Sequence, residues 1–397
     1  MTALFLLLSC TLEPTPEPVV DRAAKAEHSG HWKRLDNLNF GHAGMVVAAM
    51  GDQVLIFGGF SPTAERLDLV AGKVLPIDPA PFPLQHATAV ALSQGVLIQG
   101  GTLADQSLAS QGLLWTPQGF EVVPGLTEPR SQASAVGIDG ASLICGGQGP
   151  SGPLSSCEVT TAVATNAGPA LPEPRSGGHM VALAGMPLLV GGEGPKSGEI
   201  WQLDGDTWRE WATLSAPRWE HAVVVHGDQI WVLGGRDAQG ALSSVEICTA
   251  DGCEPGPTMT EARSGLSAGL VGGPQMAGQA GGGLRLVAFG GSAVPDSPDA
   301  LSSRTVELLV PGESAWMLGE RTGQARRGAL LHDPGDGTLV VVGGENRGKL
   351  STAVSRYSPL DKPPRTPEPL EPDLEEQLEP SEPPVPVNLP EELPSAP

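Results

Sequence analysis

The chain has 397 residues with 53 Gly and 39 Pro, which is too turn-rich for a helical bundle. Its 45 Asp+Glu against 23 Lys+Arg give a net charge of −22, which argues against nucleic-acid binding because phosphate contacts need clustered Lys and Arg. Hydrophobic residues make up 40%, enough for a large folded core, so the chain is not disordered throughout.

Both ends read as lying outside the fold. The apolar run Ala3–Leu8 is far short of the roughly 20 residues that span a bilayer, and it reads as the core of a secretion signal. It stops at Leu7-Leu8-Ser9-Cys10, which resembles a bacterial lipobox. That resemblance implies cleavage after residue 9 and a lipid-modified Cys10, whose acyl chains would anchor the protein to a membrane. The alternative is an ordinary signal peptide with an incidental Cys. Residues 10–30 carry Pro14, Pro16 and Pro18 and read as a tether. Residues 362–397 form an acidic, Pro-rich tail, expected to be disordered with polyproline II character.

Between them one unit recurs seven times. Short apolar runs end in Gly-Gly doublets at Gly58-Gly59, Gly100-Gly101, Gly146-Gly147, Gly191-Gly192, Gly234-Gly235, Gly290-Gly291 and Gly343-Gly344. Such a run reads as a strand buried on both faces, followed by a tight change of direction. Arg130, Arg175 and Arg218 precede their doublets at a fixed spacing, each after a Pro; Arg263 and Arg326-Arg327 hold related places. Small residues follow each Arg. Turn pairs such as Gly51-Asp52, Asp139-Gly140 and Gly227-Asp228 then lead to the doublet strand. Leu154-Ser-Ser-Cys-Glu-Val159 and Leu242-Ser-Ser-Val-Glu-Ile247 align nearly letter for letter.

This set resembles the kelch repeat, whose hallmarks are Arg-x-x-His, Gly-Gly and a later Trp. Arg218-Trp-Glu-His221 matches the start, Asp204-Gly205-Asp206-Thr207-Trp208 the tail, and His42 and His86 fill places comparable to that His. The resemblance implies an all-β, seven-bladed propeller over residues 31–361, with four strands per blade. The last repeat stops one strand short, after Val354-Ser-Arg-Tyr357, and His31–Leu35 is a strand with no blade before it. Residues 31–37 are therefore expected to complete blade seven. The Gly-rich insertion from Gly272 to Gly283 is expected to be a mobile loop.

Cys145 and Cys157 fall on neighbouring strands of one blade, and Cys248 and Cys253 flank a four-residue turn, so disulfides are expected within each pair. That pattern suits an oxidising compartment: an envelope-anchored or secreted protein.

Few residues point to catalysis. Gly343–Lys349 approaches a P-loop, but Leu350 stands where the Mg²⁺-binding Ser or Thr belongs. His221 and His226 fall on opposite faces of one strand and cannot share a metal. The copper radical oxidases that share this propeller need two tyrosines, and this chain has only Tyr357. No cofactor, metal or catalytic residue is expected. What remains is the face shared by the loops after the doublets and those before the Arg strands. It would carry Arg236, Glu193 and Glu345 beside Arg130, Arg175, Arg218 and Arg263, an arc able to hold carboxylates. The same Arg series could instead tie neighbouring blades together. The expected function is a monomeric, non-enzymatic scaffold that binds a protein or glycan at this face; the alternative is a sialate-type sugar-acid mutarotase.

Overall fold

The structure is a computed structural model that describes residues 30–42, 44–272, 283–294 and 302–358. The signal peptide, Cys10, the tether, most of the Gly-rich insertion and the tail lie outside the described residues, as does the whole of a second unit at 364–397.

Alternating short strands and positive-φ turns build seven four-stranded antiparallel sheets. In blade one the strands are Val46–Met50, Gln53–Phe57, Ala64–Asp68 and Lys73–Ile77, from the axis outward. The tight turn at Gly51-Asp52 joins the first two, with Met50 opposite Gln53. Blades two to six repeat the pattern, with innermost strands at Thr88–Leu92, Ser134–Ile138, His179–Leu183, Ala222–His226 and Ser264–Val271. Each innermost strand packs against that of the next blade, and Leu330–His332 of blade seven packs against Val46–Met50, which closes a ring.

Blade seven borrows its outermost strand. His31–Arg34 pairs antiparallel with Val354–Ser358, setting His31 opposite Ser358 and Arg34 opposite Ser355. Trp32 packs on Tyr357 and Phe289 with ring centroids 4.8 and 5.7 Å away, and the Gly30 amide donates to the Tyr357 hydroxyl at 2.9 Å. The chain's two described ends therefore share one sheet, as the missing fourth strand of blade seven requires.

The doublet strands are the driest part of the fold. Val54–Phe57 and Leu339–Val342 are fully buried along their length. Their side chains pack between adjacent blades: Trp231, Leu233 and Val245 of blade five meet Leu266, Leu286 and Ala288 of blade six. Each large aliphatic side chain buried in this way contributes about 1.5–3 kcal/mol.

Both disulfides form. Cys145 lies directly opposite Cys157 on the second and third strands of blade three, and Cys248 opposite Cys253 on the outer hairpin of blade five.

Candidate functional site

One position per blade knots the ring together. Arg130, Arg175 and Arg218 each donate to the carbonyl of the first doublet Gly of their own blade, 16 residues on, at 2.8–3.1 Å. Arg263 and Arg326 do the same to Gly290 and Gly343 across longer insertions. The backbone carbonyl of each of these residues accepts from the second doublet Gly of the preceding blade, as in Gly147 N to Arg175 O at 2.8 Å. The doublet has no room for side chains here. A Cβ on Gly146 would stand 2.1 Å from the Arg175 carbonyl oxygen, and both glycines have positive φ.

The other end of each guanidinium meets one register position on the third strand. Arg130 pairs with Glu158 at 2.9 Å, Arg263 with Glu307 at 2.8 Å, and Arg218 with Glu246. Each carboxylate also accepts a backbone amide from the loop entering the blade: Thr127, Thr260 and Ser215 respectively. Blade four uses Trp201 at this position, with the Arg175 guanidinium 4.1 Å from its ring centroid, and blade seven uses Ser355. Burial pushes Arg326 down to about 10; burial also dominates in Arg175, where Glu199 offsets part of it, again giving about 10. Blade two replaces both partners with apolar residues, Leu84 and Leu113.

In blade one the Arg position, 16 residues before Gly58, holds His42. Its Nδ1 meets the Gly58 carbonyl at 2.8 Å and its Nε2 meets Glu65 at 3.1 Å. Burial works to raise the Glu65 carboxyl, but hydrogen bonds from His42 and Asn39 outweigh it and hold Glu65 below its usual range. His42 therefore stands in for the Arg rather than for the His of Arg-x-x-His. The four Arg placed on the ligand face must also be corrected: Arg130, Arg175, Arg218 and Arg263 are at most 1% exposed and sit inside the joints. A guanidinium with carbonyl and carboxylate partners in the interior is more favourably placed there than it would be if unpaired.

Two residues beyond the Arg position, the chain turns through left-handed φ in every blade: Gly44, His86, Gln132, Gly177, Glu220, Gly265 and Gly328. These residues ring the channel mouth. A cavity of about 710 Å³ opens there. Blades one and seven line it with Met45, Phe60, Leu330 and Leu350; blades two and five add His86, Glu220 and Arg236. Phe60 is 62% exposed. Arg236 lies over Trp219, 5.3 Å from its ring centroid, and Arg327 donates to Glu345 at 2.6 Å. Burial lowers the pKa of His86. Arg236 and Glu345, expected on this face, line the cavity; Glu193 is exposed on blade four and does not. Spacing had not singled out Phe60, Glu220, Arg327 or Leu350 for the mouth. Phe60 directly follows a doublet, as Arg236 and Glu345 do, and that position was the available signal.

A family model described as the kelch motif matches residues 217–247, from Pro217 through the doublet to the third strand of blade five. No curated protein matches the chain by sequence. Among solved structures, a fungal alcohol oxidase of the AA5 family in complex with copper matches with a TM-score of 0.67 at 13% identity, over 84% of this chain and 77% of that one. That likeness is one of fold. A copper centre of that kind does not fit the residues here: Tyr357 is buried in blade seven and bonded to Gly30, and no three His, Cys, Asp or Glu converge among the described residues. The chain is a seven-bladed β-propeller carrying the kelch motif.

Proposed function

We propose that this protein is a binding scaffold held outside the cytoplasm, with the channel mouth as its ligand surface. The mouth cavity carries this reading, because it sets an apolar wall of Met45, Phe60, Leu330 and Leu350 against the charged groups Glu220 and Arg236. Interblade backbone bonds hold five of the seven seams of its rim, which lowers the ordering cost to be met on binding. The two disulfides suit an oxidising extracellular or periplasmic setting. No helix among the described residues is long and apolar enough to cross a membrane. In this proposal Cys10 supplies the anchor.

The ligand is a protein segment or glycan with acidic and apolar groups side by side. Arg236→Ala and Phe60→Ala should each weaken its capture on a glycan or peptide array by about tenfold or more, the usual size of a binding hot spot. Undiminished capture by both variants would reject the mouth as the surface. For the anchor, labelled palmitate should enter the wild-type protein and not Cys10→Ser; equal labelling would reject it. A sugar-acid mutarotase is the second reading, drawn from the acid/base candidates His86 and Glu220 in the same cavity. Turnover in a sialic-acid anomerisation assay would favour it over the scaffold.

A further inference from the structure

At the seam between blades four and five, two imidazoles lie where most seams around the mouth carry a backbone hydrogen bond. At five of the seven seams the left-handed residues are joined in sequence: His86 N donates to Gly44 O, Gln132 N to His86 O, Gly177 N to Gln132 O, Gly265 N to Glu220 O and Gly328 N to Gly265 O, all at 2.8–3.1 Å. Among the described residues no such bond links Gly44 N to Gly328 O, where blade seven meets blade one, or Glu220 N to Gly177 O, where blade four meets blade five. The rings of His179, on blade four, and His221, on blade five, stack with centroids 4.8 Å apart and planes at 36°. His221 is 1% exposed; the Val190 carbonyl lies near its ring, but neither ring nitrogen closes a hydrogen bond of good geometry. Such an orphan is uncommon in a folded interior and calls for a reason. His179 is exposed at the start of the innermost strand, where it opens onto the channel.

The corresponding residues of other blades do not titrate. Counting from the doublet strand, His221 matches Ala87, Ala133 and Ala329, and His179 matches Ser134 and Ser267. Among the described residues no carboxylate acts on either ring. Blade five brings Arg218, whose charge is held by Glu246, with Glu220 beside it at the rim and His226 at the far end of the strand. Blade four adds Glu193, exposed just after its doublet and bridged to Ser176. The flanking innermost strands of blades three and six, Ser134–Ile138 and Ser264–Val271, carry no titratable side chain.

We propose that the blade four–blade five seam is a proton-operated joint, closed while His179 and His221 are both neutral and parted at the mouth when the pair takes up a proton. A charge on either ring faces the other ring and the Arg218 guanidinium in a confined space. Burial, then His179 and Arg218, holds His221 well below the ordinary His value, and the Val190 carbonyl offsets only part of this. Enclosure within the channel lowers His179 as well. Once parted, the pair regains a pKa near 6.5, so the open seam binds protons that the closed seam refuses. Closure is therefore complete above about pH 6.5 and weakens as the pH falls toward the closed-state value. Glu220 and Arg236 line the mouth from blade five, so opening displaces one wall of the cavity.

Hydrogen exchange on the full chain from pH 7.5 to 5.0, corrected for intrinsic rates, reads the joint directly and needs no ligand. Amides of His179–Leu183 and Ala222–His226 should open more often as the pH drops below 6.5, by up to about tenfold per pH unit for each proton taken up, while Val46–Met50 and Thr88–Leu92 should not. The variants His221→Ala and His179→Ser copy the residues of other blades and should abolish the difference. A response shared by all the innermost strands, a flat response at this seam, or one that survives in His221→Ala would overturn the proposal. So would protection that appears with Zn²⁺ and is lost on chelation, which would make the pair a metal site.

Discussion

Arg263 and Glu307 show what a single joint is worth. Both side chains are fully buried, so removing one partner leaves the other charge in the interior with weaker partners: Glu261 at 3.4 Å for Arg263, the Thr260 and Glu261 amides for Glu307. Glu307→Leu or Arg263→Leu alone should cost about 3–5 kcal/mol, read from the urea midpoint. The double variant should recover most of that loss, because blade two already joins its strands through Leu84 and Leu113 at the same two positions. If the double variant is no more stable than either single one, the joint depends on charge rather than on packing. The Arg half of this arrangement was legible in the sequence as a residue in phase with the doublets. Its partner was visible only as part of a repeated motif around Glu158 and Glu246, because the third strand reaches its doublet strand through a hairpin of variable length. His42 was aligned with the wrong kelch landmark. Its distance from Gly58 carries the information, but nothing in residue type suggests that an imidazole replaces a guanidinium.

At the scale of elements, the borrowed strand of blade seven provides its own probe. Tyr357 is the chain's single tyrosine. It is 1% exposed beneath Trp32, and burial pushes its pKa up to about 12. Absorbance of tyrosinate should therefore stay low until about pH 11 in the folded protein and titrate near 10 in denaturant. The raised value means that the neutral hydroxyl contributes stability below pH 10, which is lost as the pH rises through the folded value. Trp32→Ala should bring the folded midpoint back toward 10; a midpoint that stays near 12 would mean that the strand does not cover Tyr357. The closure itself was legible because a seven-fold repeat with one strand missing at its end and one spare at its start has a single economical solution. The cavity lining was legible only in part. Position after a doublet marks Arg236 and Glu345, yet it also marks Glu193, which lies off the cavity. Which way a residue leans at the mouth depends on left-handed φ at non-glycine positions such as His86 and Glu220, and spacing does not encode that.

The whole molecule is a ring whose closure does not rest on its disulfides. Both bridges lie within single blades and close short loops, with separations of 12 and 5 residues. Reduction should lower stability by roughly 2–3 kcal/mol per bridge while native tryptophan fluorescence persists. Cys253 is only partly buried, so the blade-five bridge should be the first to yield thiols to a reagent. Loss of all folded signal on mild reduction would show that the ring depends on them. The pairing of His31 with Ser358 has a mechanical side as well. Val354 lies beside the Gly343–Gly344 doublet and Ser358 at the other end of the strand, so the chain enters and leaves the ring on the side away from the mouth. A pull on the N-terminal segment, resisted by a ligand held at the mouth, loads His31–Arg34 along its length and shears its hydrogen bonds together. A pull between the two chain ends loads the same strand from one tip and peels its bonds one at a time. The ring is thus built to resist load carried from mouth to base, and it is weakest against forces that separate its own two ends.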